Sequence, residues 1–172
     1  VLTVLSQLES VDGRFQFMKS TKGTIAIVDY AHTPDALLNV LKTIENIRTR
    51  NEQVITVVGC RGDRDALKRP EMAKIAAEMS NRVILTSDNP RTEDPQSILN
   101  QMEVGVEAHQ RAKVLSILDR DQAIKTAVTL SQPDDIILIA GKGHEKYQDI
   151  NGVKHPFDDY EIVKNYLNKL DK

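Results

Sequence analysis

The chain has 172 residues, 40% of them hydrophobic and 28% charged, which fits one globular domain and excludes a disordered or fibrous chain. Lys and Arg number 23 and Asp and Glu 25, a net charge of -2 that removes the electrostatic basis for a general nucleic-acid binder. Four Tyr, three Phe and no Trp exclude a large stacking surface, and no apolar run reaches the roughly 18 residues needed to cross a bilayer.

In chain order, the first strand-like run is 24–29, apolar and closed by Asp29. Thr33 is placed to cap a helix that has Pro34 in its first turn and puts Leu37, Leu41, Ile44 and Ile47 on one stripe over 34–50. A β-branched run follows at 54–58, then a helical pattern over 70–80 with Met72, Ile75, Ala76 and Met79. The run 83–86 precedes Asp94-Pro95, which opens a helix bearing Ile98, Leu99, Met102 and Val106. After a run at 114–118, Asp119 with Gln122 forms a capping-box pattern ahead of Ala123, Ile124, Ala127 and Val128. A run at 136–140 completes the series of buried strands. Asn151-Gly152 reads as the turn of a hairpin between 147–150 and 153–157, and Asp158 with Glu161 starts a last helix.

Continuous apolar runs are the pattern of strands buried on both faces, and their alternation with helices implies right-handed crossovers in an open, mostly parallel α/β sheet, with the hairpin as an antiparallel edge. Such sheets bind ligands beyond the carboxyl ends of their strands. Four strand ends carry the chemistry. The first is Asp29-Tyr30-Ala31-His32. Gly59-Cys60-Arg61-Gly62-Asp63-Arg64 follows, then Asp88-Asn89-Pro90-Arg91 and Gly141-Lys142-Gly143-His144-Glu145.

Arg64 can fork onto a carboxylate or phosphate, or the loop is a tight turn with solvated charges. Pro90 stiffens a loop expected to point Asn89 and Arg91 outward, where Asp, Asn and Arg suit a zwitterion; the alternative is an Asx-turn before the helix at Pro95. Glu145 can accept from an amine, and Lys142 and His144 can meet anions, or the segment is a glycine-rich turn. There is no Walker loop, no dinucleotide fingerprint and no pair of histidines at zinc spacing, and Cys60 has no partners for nucleophilic catalysis. A single cysteine fits a reducing compartment. The absence of an initial Met leads us to expect a fragment of a longer protein.

Taken together, Gly13-Arg14-Phe15, the segment from Val28 to Leu37, Gly62-Asp63-Arg64-Asp65 with Lys68-Arg69-Pro70, Asp88-Asn89-Pro90-Arg91-Thr92 and Gly141-Lys142-Gly143-His144-Glu145 resemble the C-terminal domain of the Mur ligases. Within that family they are most similar to the members that add meso-diaminopimelate to the peptidoglycan stem. The resemblance implies a Rossmann-like domain over 13–172, preceded at 1–12 by the remnant of an interdomain tether with Leu2, Leu5 and Leu8 at helical spacing.

It further implies a bacterial cytoplasmic ligase that uses ATP and Mg2+ and acts on a UDP-N-acetylmuramoyl dipeptide. The magnesium ligands and phosphate loop would belong to a central domain outside this chain, so the fragment alone would be inactive and would work with its own N-terminal and central domains. Carried over by motif, Arg14, Asp29, Tyr30 and His32 would contact ATP, and Arg64, Asp88, Asn89, Pro90, Arg91, Gly141 and Glu145 would hold meso-diaminopimelate, with no metal ligand and no catalytic residue here. Neither nucleic acid nor membrane is an expected partner. Rival readings are a folylpolyglutamate synthetase-type ligase domain and a stand-alone amino-acid or nucleotide-binding module.

Overall fold

A computed structural model describes residues 2–5 and 13–172. After a short helix α1 (Leu2–Leu5), strands β1 (Gln16–Lys19) and β2 (Ile25–Asp29) lead to helix α2 (Pro34–Ile47). Then come β3 (Val54–Cys60), α3 (Lys68–Met79), β4 (Arg82–Ser87) and α4 (Pro95–Glu103). A 3-10 turn at Ala108–Lys113 precedes β5 (Val114–Ser116), α5 (Arg120–Leu130) and β6 (Ile136–Ala140). The chain closes with β7 (Tyr147–Ile150), β8 (Val153–Pro156) and α6 (Asp159–Leu170). The tether expected at 1–12 lies largely outside the described residues; within α1, Leu5 is buried in the core.

The main sheet runs β1-β2-β6-β3-β4-β5, parallel throughout except for β1, which pairs antiparallel with β2. Successive residues of the central strands point to opposite faces. Ile27, Val58, Leu85 and Leu138 pack with α2, α3 and α4, whereas Val28, Val57, Ile84 and Ile139 pack with α5 and α6. The doubly buried, mostly parallel sheet expected from the unbroken apolar runs is therefore present.

Four helix starts have the expected chemistry: the Thr33 hydroxyl accepts the Ala36 N–H (3.3 Å) at the start of α2, and three aspartates act likewise. The carboxylates of Asp94, Asp119 and Asp158 accept backbone N–H bonds from Ser97, Gln122 and Glu161. Helix α3 begins two residues before Pro70, since proline is tolerated in a first turn; just ahead of it the Asp65 carboxylate accepts the Leu67 N–H (3.0 Å).

The hairpin forms with Asn151-Gly152 at its tip, but it stands as a separate two-stranded sheet rather than an edge of the main one. The antiparallel edge is instead β1, where no strand was expected. Strand β5 is shorter than the apolar run suggested, since it is an edge strand and Leu115 and Leu118 remain exposed.

Candidate functional site

Strands β2, β6, β3 and β4 are neighbours, so their carboxyl ends line up 29–32, 141–145, 61–64 and 88–91 side by side. All four loops singled out in the sequence thus meet on one rim.

At the β2 end, the Asp29 carboxylate accepts the N–H groups of Phe15 and Ala31, each at 2.8 Å. The bond from Phe15 ties the Gly13-Arg14-Phe15 turn, which uses positive φ at Gly13 and Phe15, to the strand end and leaves Arg14 exposed. A carboxylate has about four acceptor positions, so Asp29 keeps capacity for hydroxyl donors. The Tyr30 ring stands 4.6 Å from His32 and 5.3 Å from His144, ring centre to centre, and His32 Nδ1 bonds the Tyr30 carbonyl.

At the β3 end, Gly62 lies so close to the next loop that a side-chain carbon there would fall 1.8 Å from the Pro90 carbonyl oxygen. The Gly62 N–H donates to the Asn89 carbonyl (2.8 Å), and the Arg91 guanidinium donates to the Gly62 carbonyl (3.0 Å). Arg64 is exposed and, among the described residues, bonds only the neighbouring Asp63 carbonyl. A cleft of about 140 Å³ opens here between His32, Cys60, Arg61, Arg64 and Lys68.

The 88–91 loop turns inward at its first half. Asp88 and Asn89 are buried, at 0% and 1% exposure, and Pro90 is buried as well. Asn89 therefore does not point outward as expected. Its Oδ1 accepts from Lys142 Nζ (2.8 Å) and from the Asp149 N–H (3.0 Å), and its Nδ2 donates to Glu145 Oε2 (3.1 Å). The half-buried Arg91 sits at φ 53 and is braced by the hairpin: its N–H donates to Asp149 O (2.9 Å) and its carbonyl accepts from the Asn151 N–H (2.8 Å). The separate hairpin is thus the buttress of this loop.

Behind Gly141 lies a charged cluster. Arg61 Nη2 donates to Glu145 Oε1 and to the Gly141 carbonyl, both at 3.0 Å, and its guanidinium stands 5.1 Å from the centre of the Tyr30 ring. Lys142 is fully buried, 3.6 Å from Glu145 and 3.9 Å from Asp88, so it holds the cluster together rather than meeting an external anion. Burial pushes the Lys142 ammonium below the usual lysine value, against the pull of Asp88. Burial also opposes the charge on Arg61, but Asp88, the Tyr30 hydroxyl and Glu145 outweigh it and raise its pKa. Both Asp88 oxygens lack a hydrogen bond, and Gly141, at φ 120, packs on one of them.

Sequence reasoning moved Arg64 toward function and passed over Arg61, although a fork-shaped cation immediately after a buried strand was signal enough. It also missed Arg120, which is buried, bonds both Asp159 oxygens (2.9 and 2.7 Å), and caps the carbonyls of Ser87 and Ala140 beneath the rim. Among the described residues no cluster of His, Cys, Asp or Glu could hold a metal ion.

The carboxyl ends of a mostly parallel sheet are where open α/β domains bind ligands, and here they present a tethered carboxylate among arginines. The family profile described as Mur ligase, glutamate ligase domain, matches residues 13–143, and the chain belongs to the Mur ligase family as its C-terminal domain. It is 58% identical, over all 172 residues, to 35% of the UDP-N-acetylmuramoyl-L-alanyl-D-glutamate–2,6-diaminopimelate ligase of Cytophaga hutchinsonii. Against the ligase of that name from Bacteroides thetaiotaomicron, identity is 57% over 98% of this chain and 35% of the relative.

A solved structure of a ligase with that name superposes with a TM-score of 0.85 and 46% identity, covering 96% of this chain and 33% of that one. The Thermotoga maritima folylpolyglutamate synthase shares the fold at TM-score 0.61 but only 19% identity, covering 92% of this chain and 31% of that one. The chain spans about a third of the length of the curated relatives it matches.

Proposed function

We propose that the protein carrying this domain is the ATP-dependent ligase that adds meso-diaminopimelate to UDP-N-acetylmuramoyl-L-alanyl-D-glutamate during bacterial peptidoglycan precursor synthesis in the cytoplasm. The observation that carries this reading is the Glu145 carboxylate, held between Arg61 and Asn89 and flanked by loops bearing Arg64 and Arg91. One end of a diaminopimelate zwitterion would place its ammonium on Glu145 and a carboxylate on Arg64. The second carboxylate, which lysine lacks, would meet the part of the Arg91 fork not spent on Gly62. Gly141 brings backbone close to the ligand, while Asp88 and Pro90 act from beneath by fixing Lys142, Arg61 and the turn.

On the neighbouring strand end, Asp29 retains acceptor capacity for ribose hydroxyls, Arg14 is free for phosphate, and Tyr30 with His32 walls the site. ATP would supply the phosphoryl group that activates the D-glutamyl carboxylate for attack by the diaminopimelate amine. Magnesium would be held by the central domain of the longer protein. The work of residues 13–172 is to hold the amine and the nucleotide in register, and positioning of this kind accounts for much of a barrier reduction. Residues 1–12 would tether the domain for hinge closure over the other two.

The test is phosphate release by the full-length protein with ATP, magnesium and the nucleotide dipeptide. Diaminopimelate should support turnover, lysine should be a poor substitute, and the 172-residue domain alone should release none. Equal use of both amino acids, or preference for lysine, would overturn the reading.

A further inference from the structure

Arg61 is the one side chain of the cluster that bonds both halves of the rim among the described residues. From the end of β3 it reaches Glu145 and Gly141 after β6, and the Tyr30 hydroxyl (3.4 Å) after β2. Its side chain and that of Glu145 are each only 10% exposed. The hydrogens of Nη2 are committed to Gly141 and Glu145, and Nε is buried 3.9 Å from Asp88. Little of the fork remains for a ligand. Arg64, three residues on, is exposed and, among the described residues, bonded only to a neighbouring carbonyl, so it keeps its donors for one.

Glu145 is the opposite case. Arg61 occupies one acceptor position on Oε1 and Asn89 one on Oε2, with the Lys142 ammonium 3.6 Å from Oε2, and the carboxylate still keeps an acceptor position for a further donor. A cation beside this carboxylate does not attract an incoming ammonium, because like charges repel. The benefit to binding is geometric, since a carboxylate clamped from both sides loses no rotamer freedom when the ligand arrives.

We propose that Arg61 is a positioning residue of the amino-acid site, which clamps Glu145 in the orientation that receives the ammonium of the incoming amino acid and acts through Glu145 rather than by touching the substrate. This rests on Glu145 being the ammonium acceptor in the function proposed above. Because the Tyr30 contact is long, the nucleotide side should feel the loss of Arg61 far less.

The experiment is a double-mutant cycle in the full-length ligase with Arg61→Gln, Glu145→Gln and the pair, measuring KM and kcat for diaminopimelate and for ATP alongside a thermal melt. Arg61→Gln should lower kcat/KM for diaminopimelate roughly ten- to a hundredfold, chiefly through KM, and leave the KM for ATP within about twofold. Arg61→Lys should recover only part, since a point charge cannot grip Glu145 and Gly141 together. The double variant should be no worse than Glu145→Gln alone, because groups acting through one another are not additive.

Additive losses would overturn the proposal by making Arg61 an independent contact. Equal losses for ATP and diaminopimelate with a lowered melting temperature would overturn it by making Arg61 purely structural. Should Arg61→Gln fail to fold, the same cycle run with Arg61→Lys decides. A wild-type ligase that ignores diaminopimelate would take down the functional reading itself, whereas wild-type turnover with an additive cycle removes only the role of Arg61.

Discussion

Two arginine-centred clusters lie under the same rim and differ in how completely they are satisfied. Arg120 bonds both oxygens of Asp159 and two strand-end carbonyls, at 0% exposure for both partners. It locks α5 and α6 to the ends of β4 and β6. The Arg61 cluster, one strand over, is left incomplete: Arg61 Nε and both Asp88 oxygens are buried without a hydrogen bond, and Glu145 has acceptor positions to spare. Buried polar networks are stabilising only when every member is paired. A fully paired network marks a fixed part of the fold; in the partly paired one Arg61 Nε and Asp88 lie out of a ligand's reach, and in the function proposed above it is the spare acceptor positions of Glu145 that the ligand's ammonium fills.

The most direct way to break that contrast is to cut each cluster and compare stability. Asp159→Asn should leave Arg120 charged and buried without a full partner, at a cost of about 3–5 kcal/mol. At roughly 2–4 °C per kcal/mol for a chain of this size, the melting temperature should fall visibly. A urea titration in which Asp159→Asn unfolded at the wild-type midpoint would show that the pair is not a lock.

A smaller but more selective effect is expected at Arg91. Arg91→Ala in the full-length ligase should reduce kcat/KM for diaminopimelate by roughly ten- to a hundredfold, as expected for a lost charge-assisted pair of about 1.5–3 kcal/mol. Activity with lysine should change far less. The bond from Arg91 to the Gly62 carbonyl sharpens the test, because it gives the residue a bracing role as well. If bracing were its whole contribution, both amino acids would suffer equally and the melting temperature would drop with them.

The sequence carried the fold where one element decided its own fate. The strands β2, β3, β4 and β6 are apolar without interruption because both of their faces are covered, and Asp94, Asp119 and Asp158 cap helices by bonds to their own first turns. Strand β1 was hidden because Gln16–Lys19 is a half-exposed edge, held by pairing to β2 and by the Asp29 bond to Phe15. The four strand-end loops were legible as a rim because α/β topology fixes where ligands bind. The partners within the rim were not. That Asn89 turns inward onto Lys142, or that the hairpin braces Arg91, depends on residues more than fifty positions apart.

A more modest effect should follow at Asp29. Its carboxylate organises the Arg14 turn through the Phe15 N–H, so Asp29→Ala should raise the KM for ATP by roughly tenfold, near 1.4 kcal/mol, and leave the KM for diaminopimelate nearly unchanged. An effect confined to the amino acid would move Asp29 to the other half of the rim and erase the division between a nucleotide side and an amino-acid side.

The smallest effect on activity, and the finest probe of the incomplete cluster, belongs to Cys60. The thiol is buried at the end of β3, and desolvation, followed by the negative charge of Asp88, pushes its pKa up to about 12 from 9.0. In the folded protein it should resist iodoacetamide at pH 8, and it should react readily once urea unfolds the chain, because the thiolate is the reactive form. The stability linkage has a definite sign. A pKa raised by folding means that the native state holds its proton longer, so this contribution is complete below pH 9 and is lost as pH rises from 9 toward 12. Cys60→Ala should accordingly flatten the fall in unfolding free energy over that window while leaving turnover close to wild type. Asp88→Asn should lower the thiol pKa only in part, since burial remains the larger cause. Alkylation rates measured against pH in both backgrounds would report the charge at Asp88, and an unchanged profile in Asp88→Asn would mean that the buried carboxyl is not the anion around which Arg61 and Lys142 are arranged.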